Sequence, residues 1–158
     1  MDQNNANFWI QKWRSQVGML SSSTSDSNIN GLLDQDGWSP IHYAVCTNQI
    51  NMIKVLVPLM ENPNSPGPDG LTPIHMAARK GLAEIIEFLV PFVEFPNLPD
   101  ADGYTPCFMA ALRGHAKVIK VLASFSRNVH AAANFGETPL WIAKKLKHKE
   151  CVDVLMSL

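Results

Sequence analysis

Four glycines, Gly37, Gly70, Gly103 and Gly136, stand 33 residues apart, and four prolines, Pro40, Pro73, Pro106 and Pro139, keep the same step. A fixed period of this length restricts the fold more than any other feature of the chain. A unit so short cannot bury its own apolar face, so it must stack on its neighbours. The period divides the sequence into units 34–66, 67–99, 100–132 and a shorter 133–158, after a segment 1–33 that does not repeat.

The local chemistry within a unit is clearest in the second, "DGLTPIHMAARKG" from Asp69 to Gly81. The Asp-Gly pair supplies a turn with a residue free to adopt positive φ. Thr72 then offers its hydroxyl as N-cap, held extended by the proline that follows it. Pro73 sits at the first helical position, where its missing N–H is no loss. A short helix is expected from Pro73 to about Lys80, with Ala77 and Ala78 small enough to admit another helix and Gly81 closing it in a left-handed cap. A second helix is expected from about Leu82 to Val90, with Ile85, Ile86, Leu89 and Val90 on a wide apolar face. The expected architecture is therefore a stack of helical pairs with turns projecting from one edge.

In phase with its copies "DGWSPIHYAV", "DGYTPCFMAALRG" and "FGETPLWIAKK", this phrase resembles the ankyrin-repeat family, whose pattern is G-x-T-P-L-H-x-A-A at a 33-residue period. The resemblance covers residues 34–158 and implies an all-α solenoid of helix-turn-helix units with projecting β-turn or hairpin loops. Some departures bear on local structure. Pro58 and Pro91 stand where the second helices should run on, so each helix is expected to end or kink there. The family histidine is present as His42 and His75 but is Phe108 and Trp141 in the later units, which should weaken two helix starts that Thr105 and Thr138 can still cap. Asn64 and Asn97 keep the family's loop asparagine, implied to bond neighbouring turn backbone; His130 takes that place in the third unit.

A stack exposes an apolar face at each end unless a special unit covers it. Residues 7–20 place Trp9, Trp13, Val17 and Leu20 on one helical face, which reads as an amino-terminal capping helix, with a flexible serine-rich loop after it. The last unit carries Lys144, Lys145, Lys147 and Lys149, as a polar outer cap should. Four units and a cap helix are expected to form a small array, either complete or cut from a longer one.

Of the 158 residues, 46% are apolar and 17% charged, which suits one soluble globular domain. The net charge of −1 offers no field for nucleic acid or an anionic membrane. Residues 1–78 hold 3 basic and 6 acidic residues and residues 79–158 hold 10 and 8, so the second half is mildly basic. Cys46, Cys107 and Cys151 are an odd number in unlike contexts, which is not a disulfide framework. Cys107 and Cys151 read as small core residues and Cys46 as nearer the surface. The first residues lack the pattern of a signal peptide and no apolar run approaches a membrane span. An intracellular protein, monomeric by itself, is expected.

No phosphate-cradling glycine loop, GxSxG, HExxH or paired-cysteine spacing occurs. His42 and His75 fall at helix starts, where a structural duty accounts for them. No catalytic residue, metal or cofactor is expected. The resemblance implies binding of a partner protein or peptide on the concave face formed by the turn tips and the exposed sides of the first helices. Carried over by position, that face holds Trp38, Leu71 and Tyr104, with Glu137 fourth in the row. Arg79, Lys80 and Arg113 border it on the helix ends, with Thr47 and Lys145 in the same places, and Asp36, Asp69, Asp102 and Phe135 on the turn tips. Large apolar and aromatic side chains in such a row suit binding hot spots. The competing reading is that each side chain lies on its neighbour and only covers the turn, and that the charges only solvate their helices. Two other functions remain open: contact of the basic half with a polyanion or nucleic acid, and a regulatory or spacer part of a larger protein.

Overall fold

The turn chemistry produces the same helical pair at each step. In the structure, a computed structural model that describes Gln11, Trp13, Ser15 and residues 29–158, α1 (Pro40–Cys46) pairs with α2 (Ile50–Leu56) and α3 (Pro73–Lys80) with α4 (Ala83–Leu89). Likewise α5 (Pro106–Arg113) pairs with α6 (Ala116–Phe125), and α7 (Pro139–Lys145) with α8 (Lys149–Ser157).

Every first helix opens with proline after an extended Ser or Thr. The Thr72, Thr105 and Thr138 hydroxyls accept from the backbone N–H three residues on, at 3.3, 3.2 and 3.1 Å. Each hydroxyl satisfies one of the donors that a helix start leaves unpaired. Thr105 and Thr138 thus cap without the histidine, as expected. Each first helix also ends next to a left-handed residue: Gly81 at φ 75° and Gly114 at φ 78°, with Asn48 at φ 55° and Lys147 at φ 60° in the corresponding places.

Proline shortens two of the second helices. The α2 helix passes into a 3-10 turn at Val57–Leu59 around Pro58, and α4 into one at Val90–Phe92 around Pro91. Without an N–H to give, neither proline can extend the α pattern, so α4 stops at Leu89, one residue short of the expected Val90. The α6 helix has no such proline and runs ten residues to Phe125.

The first helices pack in a row, α1 on α3 on α5 on α7, and α4, α6 and α8 pack in a second row behind them. Ala44, Ala77, Ala78, Ala110, Ala111 and Ala143 are fully buried in the first row and bring those helices close. Ile86, Leu89, Ile119 and Leu122 fill the second, and with Ile53 and Leu56 of α2 they belong to one apolar core that runs the length of the stack. Trp13 joins it, fully buried, and Gln11, Trp13 and Ser15 are helical. The rest of the expected capping face, Trp9, Val17 and Leu20, and the serine-rich loop lie outside the described residues.

The turns project as expected but form no strand among the described residues. Each closes on itself through two backbone bonds, Asp34 N–H to the Trp38 carbonyl at 2.9 Å and Gly37 N–H to the Asp34 carbonyl at 3.1 Å, with counterparts in the turns that begin at Gly67, Asp100 and Ala133. Neighbouring turns add one more, from Ala101 N–H to the Asp69 carbonyl (2.9 Å) and from Asn134 N–H to the Asp102 carbonyl (3.3 Å). The corresponding residue at the first junction is Pro68, which has no N–H to donate.

Loop asparagines tie each second helix to the next first helix. Asn64 Oδ1 accepts from Ile74 N–H at 3.0 Å and Asn97 Oδ1 from Cys107 N–H at 2.9 Å, so both cap a helix start, and Asn97 Nδ2 also donates to the Asn128 carbonyl of the neighbouring loop at 3.1 Å. His130 is exposed and makes no such bond to the start of α7.

Candidate functional site

The face that carries the candidate residues is built on the two histidines. The Ser39 N–H donates to His42 Nδ1 at 3.3 Å and the Thr72 N–H to His75 Nδ1 at 3.1 Å, so each Nδ1 is an acceptor and the proton sits on Nε2. His42 Nε2 then donates to the Leu71 carbonyl (3.2 Å) and His75 Nε2 to the Tyr104 carbonyl (3.0 Å). A histidine at the start of one helix thereby fixes the backbone of the next turn at the very residue whose side chain faces outward. Burial pushes His42 down to about 4 against the opposing pull of the Leu71 carbonyl and Asp34, and it lowers His75 as well. Both rings are neutral near pH 7, with both nitrogens engaged.

Phe108 has no such proton to give. Tyr104 instead stacks on its ring, centroids 4.6 Å apart, and sends its hydroxyl to Glu137 Oε2 at 3.4 Å.

The turns themselves are held by a different set of carboxylates from those expected at the tips. Asp34 Oδ1 accepts from the N–H groups of Asp36 and Trp38, at 3.0 and 2.8 Å, and Asp100 does the same for Asp102 and Tyr104. With the turn shaped by Asp34 and Asp100, the side chains of Asp36, Asp69 and Asp102 stand exposed. Phe135, at the fourth tip, is 81% exposed.

Trp38, Leu71 and Tyr104 are half-buried. Trp38 meets the His42 ring edge-on, centroids 5.2 Å apart, and its indole lies where a side chain on Gly67 would fall. The aromatic residues therefore cover the turns with one edge and present the other. Arg79, Lys80 and Arg113 are exposed at the ends of α3 and α5.

Trp38 and Arg79 come together. They line a hollow of about 310 Å³ between α1 and α3, with Tyr43, Cys46 and Met76 as its apolar walls and Asp34 at its rim. Cys46 Sγ lies 3.9 Å from Met76 Sδ. Leu71, Tyr104, Arg113, the tip aspartates and Phe135 lie outside this hollow. Tyr43, Cys46 and Met76 were not among the expected residues. Their signal is modest: Tyr43 and Met76 fill a position of the repeat phrase whose apolar character core packing already explains, Met76 being buried and Tyr43 partly buried against the core.

Cys107 and Cys151 are fully buried. Burial, with Cys151 nearby, pushes the Cys107 thiol up to about 12, and burial raises Cys151 too. Neither is a thiolate at neutral pH, and thiolate is the reactive form. Among the described residues, no three His, Cys, Asp or Glu side chains converge as metal ligands, and no helix is long and apolar enough to cross a membrane.

A family profile described as ankyrin repeats (3 copies) matches residues 16–95 and 92–158. A comparison with curated proteins finds no match.

Proposed function

Since the chain belongs to the ankyrin-repeat family, whose members are generally protein–protein interaction modules, we propose that it binds a partner protein through its concave face, without catalysis. The hollow between α1 and α3 is the observation that carries this reading: an apolar recess of about 310 Å³ with a guanidinium at its edge. Such a recess suits an apolar anchor followed by an acidic residue that reaches Arg79. The wider face continues the pattern, with Lys80 and Arg113 on the helix ends and Asp36, Asp69 and Asp102 on the tips. An amphipathic segment lying along Trp38, Leu71 and Tyr104, its acidic side toward the arginines, would meet both borders.

The neutral, fully engaged His42 and His75 and the buried thiols of Cys107 and Cys151 support a non-catalytic role. Three free cysteines suit an intracellular setting.

Because Trp38 and Tyr104 also cover turns, their replacement alone does not separate binding from folding. The discriminating variant is Arg79→Glu with Arg113→Glu, both exposed, compared with Trp38→Ala with Tyr104→Ala and with the unaltered chain. Affinity capture followed by titration of the captured partner should show at least tenfold weaker binding for both double variants, with helical circular dichroism retained. A partner held equally by all three chains would refute the concave face.

A further inference from the structure

A second surface lies on the loops that follow the second helices. Phe92, Phe95, Leu98 and Phe125 are 48, 57, 45 and 52% exposed and cluster there. Exposed apolar side chains scattered singly are ordinary, but a contiguous group around a recess marks contact with another molecule. Here there are two adjoining recesses. One, of about 310 Å³, has Phe92, Val93 and Asn62 on its walls and Glu61 at its rim. The other, of about 270 Å³, has Phe125, Asn97 and Asn128 on its walls and Arg127 at its rim. Phe95, Leu98 and Glu94 line both and form the ridge between them.

This surface is held firmly. Asn97 Nδ2 donates to the Asn128 carbonyl at 3.1 Å and Asn128 Nδ2 to the Asn97 carbonyl at 3.4 Å, so the two loops are pinned to each other. Pro91, Pro96 and Pro99 restrict the chain between these points. A recess already formed spares an incoming chain the ordering of its walls.

We infer that these two recesses receive a polyproline II segment of a partner protein carrying two apolar side chains three positions apart, with a basic residue between them. The spacing follows from the stack: corresponding loops are offset by roughly one helix-to-helix distance of about 10 Å, and a polyproline II chain, with three residues per turn at roughly 3.1 Å each, covers about 9 Å in three residues and returns the side chain to the same face. The charge follows from the rims. Glu94 is exposed and lines both recesses, so it stands beside the middle of a segment that spans them. Arg127 beyond the second recess calls for an acidic residue after the second anchor. The surface uses no residue of the concave face, so the two can be occupied independently.

The test is selection from a phage-displayed library of random dodecapeptides on the whole chain, followed by fluorescence anisotropy of the enriched peptides. The expected consensus is apolar, then basic within the next two positions, then apolar at the third. Phe95→Ser and Leu98→Ser should each weaken such a peptide at least tenfold. Glu94→Lys should weaken it in a manner that diminishes with added salt, and Arg79→Glu with Arg113→Glu should leave it unchanged. Circular dichroism checks each fold; if one serine variant fails to fold, the other and Glu94→Lys decide. Enriched peptides indifferent to Phe95 and Leu98, or no such consensus, overturn the inference. Concentration-dependent self-association abolished by Phe95→Ser overturns it in favour of a second copy of this chain.

Discussion

His75 shows how one side chain can serve the fold so fully that nothing remains for chemistry. It accepts from the Thr72 backbone and donates to the Tyr104 carbonyl, and burial keeps it neutral. The pH consequence has a definite sign. The unfolded chain takes up a proton at each histidine near pH 6.5, while folded His42 resists until about pH 4 and His75 is shifted the same way. Between those values the unfolded state binds more protons, so stability is fully present above pH 6.5 and falls as pH drops toward 4. For His42 the full shift corresponds to about 3 kcal/mol. Phe108 occupies the same place in the third pair without a titrating group, so His75→Phe should fold and should flatten this dependence. Urea midpoints of the two chains at pH 7.5 and 5 would show it; equal losses on acidification would refute the assignment, since the carboxylates common to both chains cancel in the comparison. The role of this histidine was legible because it depends on neighbours three residues away in sequence. Which carbonyl receives its other nitrogen was not, because Tyr104 lies a whole repeat further on.

Among the elements, the helix ends were the most readable, since a cap is a local agreement between backbone angle and residue type. The C-terminal positions of the first helices all take positive φ, yet only two are glycine. Lys147 sits there at φ 60° and is exposed, with a side chain that L-residues accommodate poorly in that region. The left-handed conformation costs such a residue about 1–2 kcal/mol, part of which glycine gives back through the greater freedom of its unfolded chain. Lys147→Gly should therefore stabilise the protein by about 0.5–1 kcal/mol, raising Tm by roughly 1–4 °C. Calorimetry would register this, and an unchanged or lower Tm would mean that the Lys147 stem contributes packing of its own. The same local logic anticipated the effect of Pro58 and Pro91 on the second helices. It did not reach the hollow between α1 and α3 or the paired recesses around Phe95. Those arise where a variable position of one unit meets a variable position of the next, and a repeat pattern by construction is silent about the residues that it leaves free.

For the whole molecule, stability is set by adjacency. A helical pair in a stack touches only the pairs beside it, so its resistance to local opening is the sum of its own interactions and those at its interfaces. The α3 and α5 helices are covered on both sides, by α1 and α5 and by α3 and α7. The α7 helix packs on α5 and α8, with Trp141 42%, Leu146 43% and Met156 67% exposed along the last pair. The junction leading to it is also the one in which no histidine reaches across, because Phe108 stands in its place, and in which His130 leaves the start of α7 without the bond that Asn64 and Asn97 supply earlier. The exposed Lys117–Glu87 pair at 3.9 Å is worth too little to alter this balance. Amide hydrogen exchange should therefore be graded along the stack, with amides of α7 and α8 exchanging at least tenfold faster than those of α3 and α5, a difference of about 1.4 kcal/mol in opening free energy. Trp141→His, which restores the repeat phrase within α7 without adding a neighbour beyond it, should leave that gradient in place, whereas His130→Asn, which supplies the missing bond to the start of α7, should reduce it. Mass-resolved exchange of peptides from residues 139–157 against residues 73–113 measures both effects. Equal protection along the chain would show that the stack opens as one unit, with the continuous core rather than the individual junctions setting its stability.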